Sequence, residues 1–429
     1  MTDQHAATTL ADARRRAAAA AVALRGPAVP TPPRSAAGRV LAEPVLARTQ
    51  IPHAATSAMD GWAVAGPGPW RLRPAGAAPS PAHPPGSPAP GEAVAVVTGS
   101  PIPAGVDSVL RAEHGTVRAE DGVDRLHADP TTGDLAAGRH IRPAGAEAAA
   151  GEMLLAAGSV VTPAAAAVAA VAGHDLLSVR PAPQVTLICT GEEVITVGLP
   201  APGQVRDAFE VSVPAAVEAM GGRTAAVRRV GDAVEPLVEE LAAAAHGDDG
   251  PGEATDAERA APRLILTTGG TAGSAADALH PALEQLGAEL LVDGIAMRPG
   301  HPTLLARLGD SLVVGMPGNP LAGFAALLSL GGVVLDGLAG HERPEDRRLG
   351  SGRAAEELPG ARRGTRLLPV ILDRAGVVPA GRDGSAMLRG LAAADALAEV
   401  PAGGVAAGSP ARLHLLPWTA DRGEVAWDA

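Results

Sequence analysis

The chain has 429 residues, 35 of them basic and 47 acidic, for a formal net charge of -12 and an isoelectric point near 5.5. This length exceeds one ordinary core and predicts two to four domains, while the acidic balance, with no Lys/Arg stripe interleaved with aromatics, excludes a nucleic-acid binder. No lysine and no tyrosine occur, so arginine and protonated histidine are the only side-chain cations at neutral pH, and the one cysteine, Cys189, excludes an internal disulfide or a cysteine-based metal cluster. A reducing compartment, the cytoplasm, is expected.

Thr8 or Thr9 is placed to cap an alanine-rich helix that ends before Gly26. Arg14-Arg15-Arg16 followed by Ala17 to Leu24 imitates a secretory signal, but the apolar run is mostly alanine and is shut off by Arg25. No stretch reads as the roughly 20 strongly apolar residues that span a bilayer, so no membrane partner is expected. From Ile51 to about Ile141, short strand-like runs (Ala93 to Val97, Ser108 to Arg111, Val117 to Leu126) alternate with turns, and only Trp70 to Leu72 interrupts the Pro/Gly-dense stretch between Gly66 and Gly91. Residues 51–142 therefore read as a small β domain. Residues 143–180, with Leu154-Leu155 and an alanine-valine helix after Pro163, are expected to rejoin residues 1–50, which makes the β domain an insertion.

From Val185 the pattern changes to strand, Thr190-Gly191-Glu192-Glu193 turn, helix Val211 to Met220, strand Thr224 to Val230, helix Ala233 to Ala245, strand Leu264 to Leu266 and helix Ala275 to Leu286. Such alternation predicts a parallel, doubly wound sheet over residues 181–338 with ligands at the carboxyl ends of its strands. The acidic, Gly-rich run His246 to Pro262 reads as a surface loop, and a helix is expected from Pro320 to about Leu338. Runs such as Arg366 to Leu372 and Ala411 to Leu416 make residues 345–429 a separate C-terminal β domain.

Three turns within residues 264–320 follow apolar runs: Thr267-Thr268-Gly269-Gly270-Thr271, Met297-Arg298-Pro299-Gly300-His301-Pro302 and Met316-Pro317-Gly318-Asn319-Pro320. Glycines after a strand let backbone N–H groups approach an anion, and a following helix adds its positive end, so these turns predict an oxyanion site. Two further segments, Thr56 to Ala63 with Asp60 before Gly61, and Thr98 to Asp107, are by themselves only turns.

Taken in order, Ser57 to Ala63, Thr98 to Asp107, Thr190 to Glu193, Thr268 to Gly270, Arg298 to Pro302 and Pro317 to Pro320 resemble the molybdopterin molybdenumtransferase family. The resemblance covers most of the chain. It implies a multidomain α/β plus β fold: an N-terminal helical region, an inserted β domain, a doubly wound molybdopterin-binding domain and a C-terminal β barrel. It also implies a homodimer whose active site lies between the α/β domain of one chain and the inserted domain of the other. The implied reaction is Mg²⁺-assisted insertion of molybdate into adenylylated molybdopterin, with loss of the adenylate. Asp60 and Glu193 match the family's acidic positions as metal ligands and catalytic groups, with Asp232 and Asp277 as weaker matches. Gly269, Gly270 and Thr271 are the expected donors to the pterin phosphate. Arg298 with His301, set by Pro299 and Pro302, is the expected molybdate site, and Thr98, Thr190, Pro317, Gly318 and Asn319 complete the substrate-binding set. The chain departs from the family at Arg298 and His301, where lysines are usual, at Ala272, where serine is usual, at Asp207-Ala208-Phe209, which replaces a Ser-Asn pair, and at Leu321-Ala322. Two alternatives stay open: a non-catalytic molybdopterin- or molybdate-binding relative, and a molybdopterin adenylyltransferase, whose Thr-Thr-Gly-Gly-Thr loop this chain shares.

Overall fold

A computed structural model of the chain describes residues 8–73, 86–248, 259–271 and 277–419. Ala272 and most of the acidic run after His246 lie outside the described residues. The central element is a six-stranded sheet in the order Arg223–Arg229, Gln184–Cys189, Arg263–Thr268, Ser311–Met316, Leu304–Leu308, Glu289–Asp293. The first four strands run parallel. Leu304–Leu308 runs antiparallel to both its neighbours, so the sheet is mixed at one edge rather than wholly parallel. The cause is local: Leu308 and Ser311 pair across the two-residue turn Gly309-Asp310, with Gly309 at φ 58°, and so short a turn reverses the chain.

Both faces of the sheet are covered. Leu264, Leu266, Leu312 and Val314 join one core, and Ile265 and Val313 join the other, the period-two alternation of strands buried on both sides. Leu10–Ala23, Val213–Ala219 and the helical run Pro320–Leu338 pack on the first face; Val234–His246 and Leu279–Gln285 pack on the second. The run Pro320–Leu338 passes through a π-helical turn at Leu327–Gly331 and is long and apolar enough by composition to cross a membrane, at mean hydropathy 1.9. Its apolar window is entirely buried, so here that apolarity fills the core.

The opening helix, Leu10–Ala23, is capped by Thr9, whose Oγ1 accepts from the Asp12 N–H at 3.1 Å. It packs on the α/β core rather than on residues 143–180. Its buried stripe of Ala13, Ala17 and Ala21 permits close approach, and a Cβ on Gly337 would lie 2.5 Å from that of Ala21. What joins residues 143–180 is the extended chain that follows, with Val29–Thr31 pairing Leu177–Val179 and Val45–Leu46 pairing Met153–Leu155.

Arg14 on this helix is buried and ties three parts of the chain together. It donates to the Ser329 carbonyl at 3.0 Å and the Glu345 carbonyl at 3.1 Å, and its Nη1 meets His414 Nδ1 at 3.0 Å. A guanidinium only donates, so Nδ1 accepts and the His414 proton sits on Nε2, 2.7 Å from Glu399 Oε1. Burial holds His414 below the ordinary imidazole value despite Glu399, and burial, with Arg347 and Arg348 beside it, pushes His341 down to about 3. Both folded-state values lie below the unfolded one of about 6.5, so this stability is complete above that pH and is lost as pH falls. Urea unfolding should show a loss of roughly 2 kcal/mol from His341 between about pH 7.5 and 5, with His414 adding a loss of the same sign. His414→Gln should remove its share of that slope; an unchanged slope would show that His414 takes up its proton without strain.

The inserted unit is a second six-stranded sheet, in the order Ser108–Arg111, Gly61–Ala65, Glu92–Val96, Trp70–Leu72, Val123–Ala128, Gly115–Glu120. The run Val117 to Leu126 is not one strand but a hairpin, because Asp121 at φ 50° and Gly122 at φ 78° form the two positive-φ positions of a type I′ turn. At the C-terminus, Thr365–Asp373, Ala396–Val400, Pro410–Leu415 and Leu349–Arg353 form a third sheet. It curls until Ala354 bridges Val377, and it borrows Met297–Arg298, which pairs with Thr365 and Arg366.

Candidate active site

From Gln184–Cys189 the chain crosses to Arg223–Arg229 on one side and returns to Arg263–Thr268 on the other. The turns leaving Cys189 and Thr268 therefore part around a crevice, the topological switch point at which open α/β sheets bind ligands. A cavity of about 580 Å³ occupies it, walled by the Thr190 to Glu193 turn, Thr268-Gly269-Gly270, Gly318-Asn319 and the chain from Arg206 to Phe209.

The floor is a glycine loop. Gly269 at φ 80° and Gly270 at φ 63° occupy the left-handed region, and Gly269 N–H donates to the Met316 carbonyl at 2.9 Å. Thr190 closes one side, its N–H donating to the Thr268 carbonyl at 3.3 Å and its hydroxyl to the same oxygen. Among the described residues no acceptor takes the N–H groups of Gly270 and Thr271. Gly318 lies against Gly269, and Asn319 is the N-cap of the helical run from Pro320, with no side-chain hydrogen bond to the helix. The positive end of that helix faces the cavity.

Two of the carboxylates lining the cavity are Glu193 and Asp232. Glu193 is exposed to the cavity, and Asp232 Oδ2 accepts the Glu192 N–H at 3.2 Å, so Asp232 holds the turn that presents Glu193. Cys189 also lines the cavity, but burial, then Asp207, pushes its thiol up to about 11. It is protonated at neutral pH and offers no thiolate nucleophile.

Asp60 and Thr98 meet one another in the inserted unit. Asp60 Oδ1 accepts the Thr98 N–H at 2.6 Å and its hydroxyl at 2.9 Å, and these two bonds, the backbone one foremost, hold the carboxyl below the usual range. Neither residue lines the cavity of its own chain.

The matching family models are the MoeA N-terminal region (domains I and II) at residues 8–173, a probable molybdopterin binding domain at 186–335, and the MoeA C-terminal region (domain IV) at 351–416. A molybdopterin molybdenumtransferase of Synechococcus elongatus is 35% identical over 297 residues, 66% of this chain and 69% of that protein. The chain belongs to the molybdopterin molybdenumtransferase family. A Bacillus subtilis molybdopterin molybdenumtransferase is 31% identical over 236 residues, and there the match spans only 50% of the relative. Crystal structures of the molybdopterin biosynthesis MoeA protein from Pyrococcus horikoshii superpose with TM-scores of 0.70 and 0.64 at 21% identity, covering 96% of this chain. At that identity they speak for the fold.

In this molybdopterin molybdenumtransferase relative, not every expected residue reaches the cavity. Arg298, Pro299, His301 and Pro302 do not line it. Arg298 is exposed on the strand that joins the C-terminal sheet, and His301 Nδ1 donates to the Ile295 carbonyl at 2.7 Å. Gly300 packs beside Ala322, which sets that turn against the helical run whose first residues line the cavity. Pro317 and Thr271 are buried. Asp277 caps a helix, its Oδ1 accepting the N–H groups of Leu279 at 3.2 Å and His280 at 3.3 Å, while Oδ2 meets His280 Nδ1 at 2.7 Å. Arg206, Asp207 and Arg229, which the sequence did not single out as functional, do line the cavity. The available signal was position: Arg229 ends the strand beside the switch point.

Proposed function

We propose that the chain transfers molybdenum from molybdate to adenylylated molybdopterin with release of AMP, as a cytoplasmic homodimer whose site is completed across the subunit boundary. The carrying observation is the cavity at the switch point, lined by the glycine loop together with Glu193 and Asp232, where among the described residues the Gly270 N–H has no acceptor. The Gly270 N–H, with the Asn319 helix end, receives the pterin phosphate. Arg298 carries the attraction for molybdate on the adjoining turn, where His301 is held by the bond from its Nδ1 to the Ile295 carbonyl.

The donor set fits Mg²⁺. Glu193 and Asp232 offer hard oxygens, and among the described residues no group of three ligating side chains surrounds a point. A cation that keeps its waters and binds through one or two carboxylates plus phosphate suits that arrangement. Bound Mg²⁺ supplies charge neutralisation at the adenylate phosphates. Glu193 and Asp232 would hold it, with Asp60 of the partner subunit facing them. The protein's own share is positioning and electrostatics, with no covalent nucleophile.

Mixing two inactive variants tests the shared site. Asp60→Ala and Glu193→Gln are each expected to be inactive, and co-expressed hybrids should recover about a quarter of wild-type activity, because half the dimers carry one intact site of two. A mixture as inactive as its parents would confine the site to one chain.

A further inference from the structure

Arg229 is held more firmly than a solvent-facing arginine needs to be. It stands at the end of its strand on the cavity wall, and its Nη2 donates both to Asp207 Oδ2 at 2.6 Å and to Glu210 Oε2 at 2.9 Å. Asp207 is itself fixed, accepting the N–H groups of Phe209 at 2.8 Å and Glu210 at 3.3 Å. Phe209 is buried with its ring against Gly323 and 6.3 Å from that of Phe324, so the holder is anchored to the core helix. A guanidinium has five N–H donors, and among the described residues those on Nε and Nη1 of Arg229 have no acceptor. The other arginine on the wall, Arg206, already commits Nη1 to the Gly198 carbonyl at 2.8 Å. A cation fixed in advance, with donors unspent, beside an arginine already committed and the carboxylates Glu193, Asp207 and Asp232, is arranged to take an oxyanion such as a phosphate through two parallel N–H donors.

We propose that Arg229 is the side-chain phosphate clamp of this cavity, receiving the nucleotide phosphate of the substrate on Nε and Nη1 while Asp207 and Glu210 keep it in place. The inference rests on the adenylylated-substrate reading above, and its test separates the two. AMP binding is measured by calorimetry on wild type, Arg229→Gln and Arg229→Lys, with adenosine as the probe that lacks phosphate. Arg229→Gln should weaken AMP by about 10- to 100-fold and leave adenosine unchanged. Arg229→Lys should fall between, since an ammonium keeps the charge but loses the fork, and the difference between wild type and Gln should shrink in high salt. The exposed side of Arg229 makes the Gln variant expected to fold, which its melting temperature checks, and the Lys variant carries the test if it does not. AMP affinity unchanged in both variants overturns the inference and leaves the adenylate reading standing. No AMP binding by wild type at millimolar nucleotide overturns both.

Discussion

Asp60→Ala is expected to lower AMP release by about 100-fold or more while changing stability by less than about 1 kcal/mol. The side chain sits on an exposed turn and bonds only Thr98 among the described residues, so its removal deprives the fold of little. What it removes is a carboxylate kept ionised by two donors. Thr98→Val separates that role from mere presence. With one of the two bonds gone, the Asp60 carboxyl should rise toward its ordinary value, and the acid limb of the activity profile should move to higher pH, since the ionised form is the working one. Full activity in Asp60→Ala at steady state, or an acid limb that stays put in Thr98→Val, would take Asp60 out of the chemistry.

Gly269→Ala should affect both stability and ligand binding. At φ 80° an L-residue costs about 1–2 kcal/mol, and the added Cβ would lie 2.7 Å from Thr190 Oγ1, displacing the hydroxyl that closes the cavity onto the Thr268 carbonyl. The loop cannot then present Gly270 as built, and the KM for the pterin substrate should rise about 10- to 100-fold along with the fall in unfolding free energy. Gly287→Ala is the matched control. At φ 65°, away from the cavity and with nothing within 4 Å of the added Cβ, it bears the backbone cost alone, so binding should change by no more than a few-fold. If the two variants bind alike, the glycine loop is a turn and not an anion cradle.

The glycine loop was legible because it has a local cause. Glycines after a strand mark positive φ wherever they occur, and Thr190, Gly269, Gly270 and Gly318 all line or floor the cavity that the strand alternation placed at this end of the sheet. The Asp207–Arg229 pair was not, because nothing in either segment says that the chain at Val205–Arg206 folds back beside the end of Arg223–Arg229. Asp277 was ambiguous for a related reason: an acid ahead of a helix reads equally as a ligand or as a cap, and the hydrogen bonds from Leu279 and His280 show it capping. The opening helix was placed with the wrong neighbour because an alanine stripe fits any close-packing surface, and only the tertiary contact with Gly337 selects the core. The Arg298 turn kept its position in the sequence pattern yet lies behind Ala322, since Met297–Arg298 is drawn into the C-terminal sheet.

The most direct measurement supplies purified protein with adenylylated molybdopterin, Mg²⁺ and molybdate, and follows AMP together with pterin-bound molybdenum. AMP and molybdenum-loaded pterin appearing in equal amounts, with neither formed when molybdate is withheld or Glu193→Gln replaces wild type, is the predicted result. Tight binding of the pterin nucleotide with no AMP released would contradict the account and make the chain a binding protein within its family.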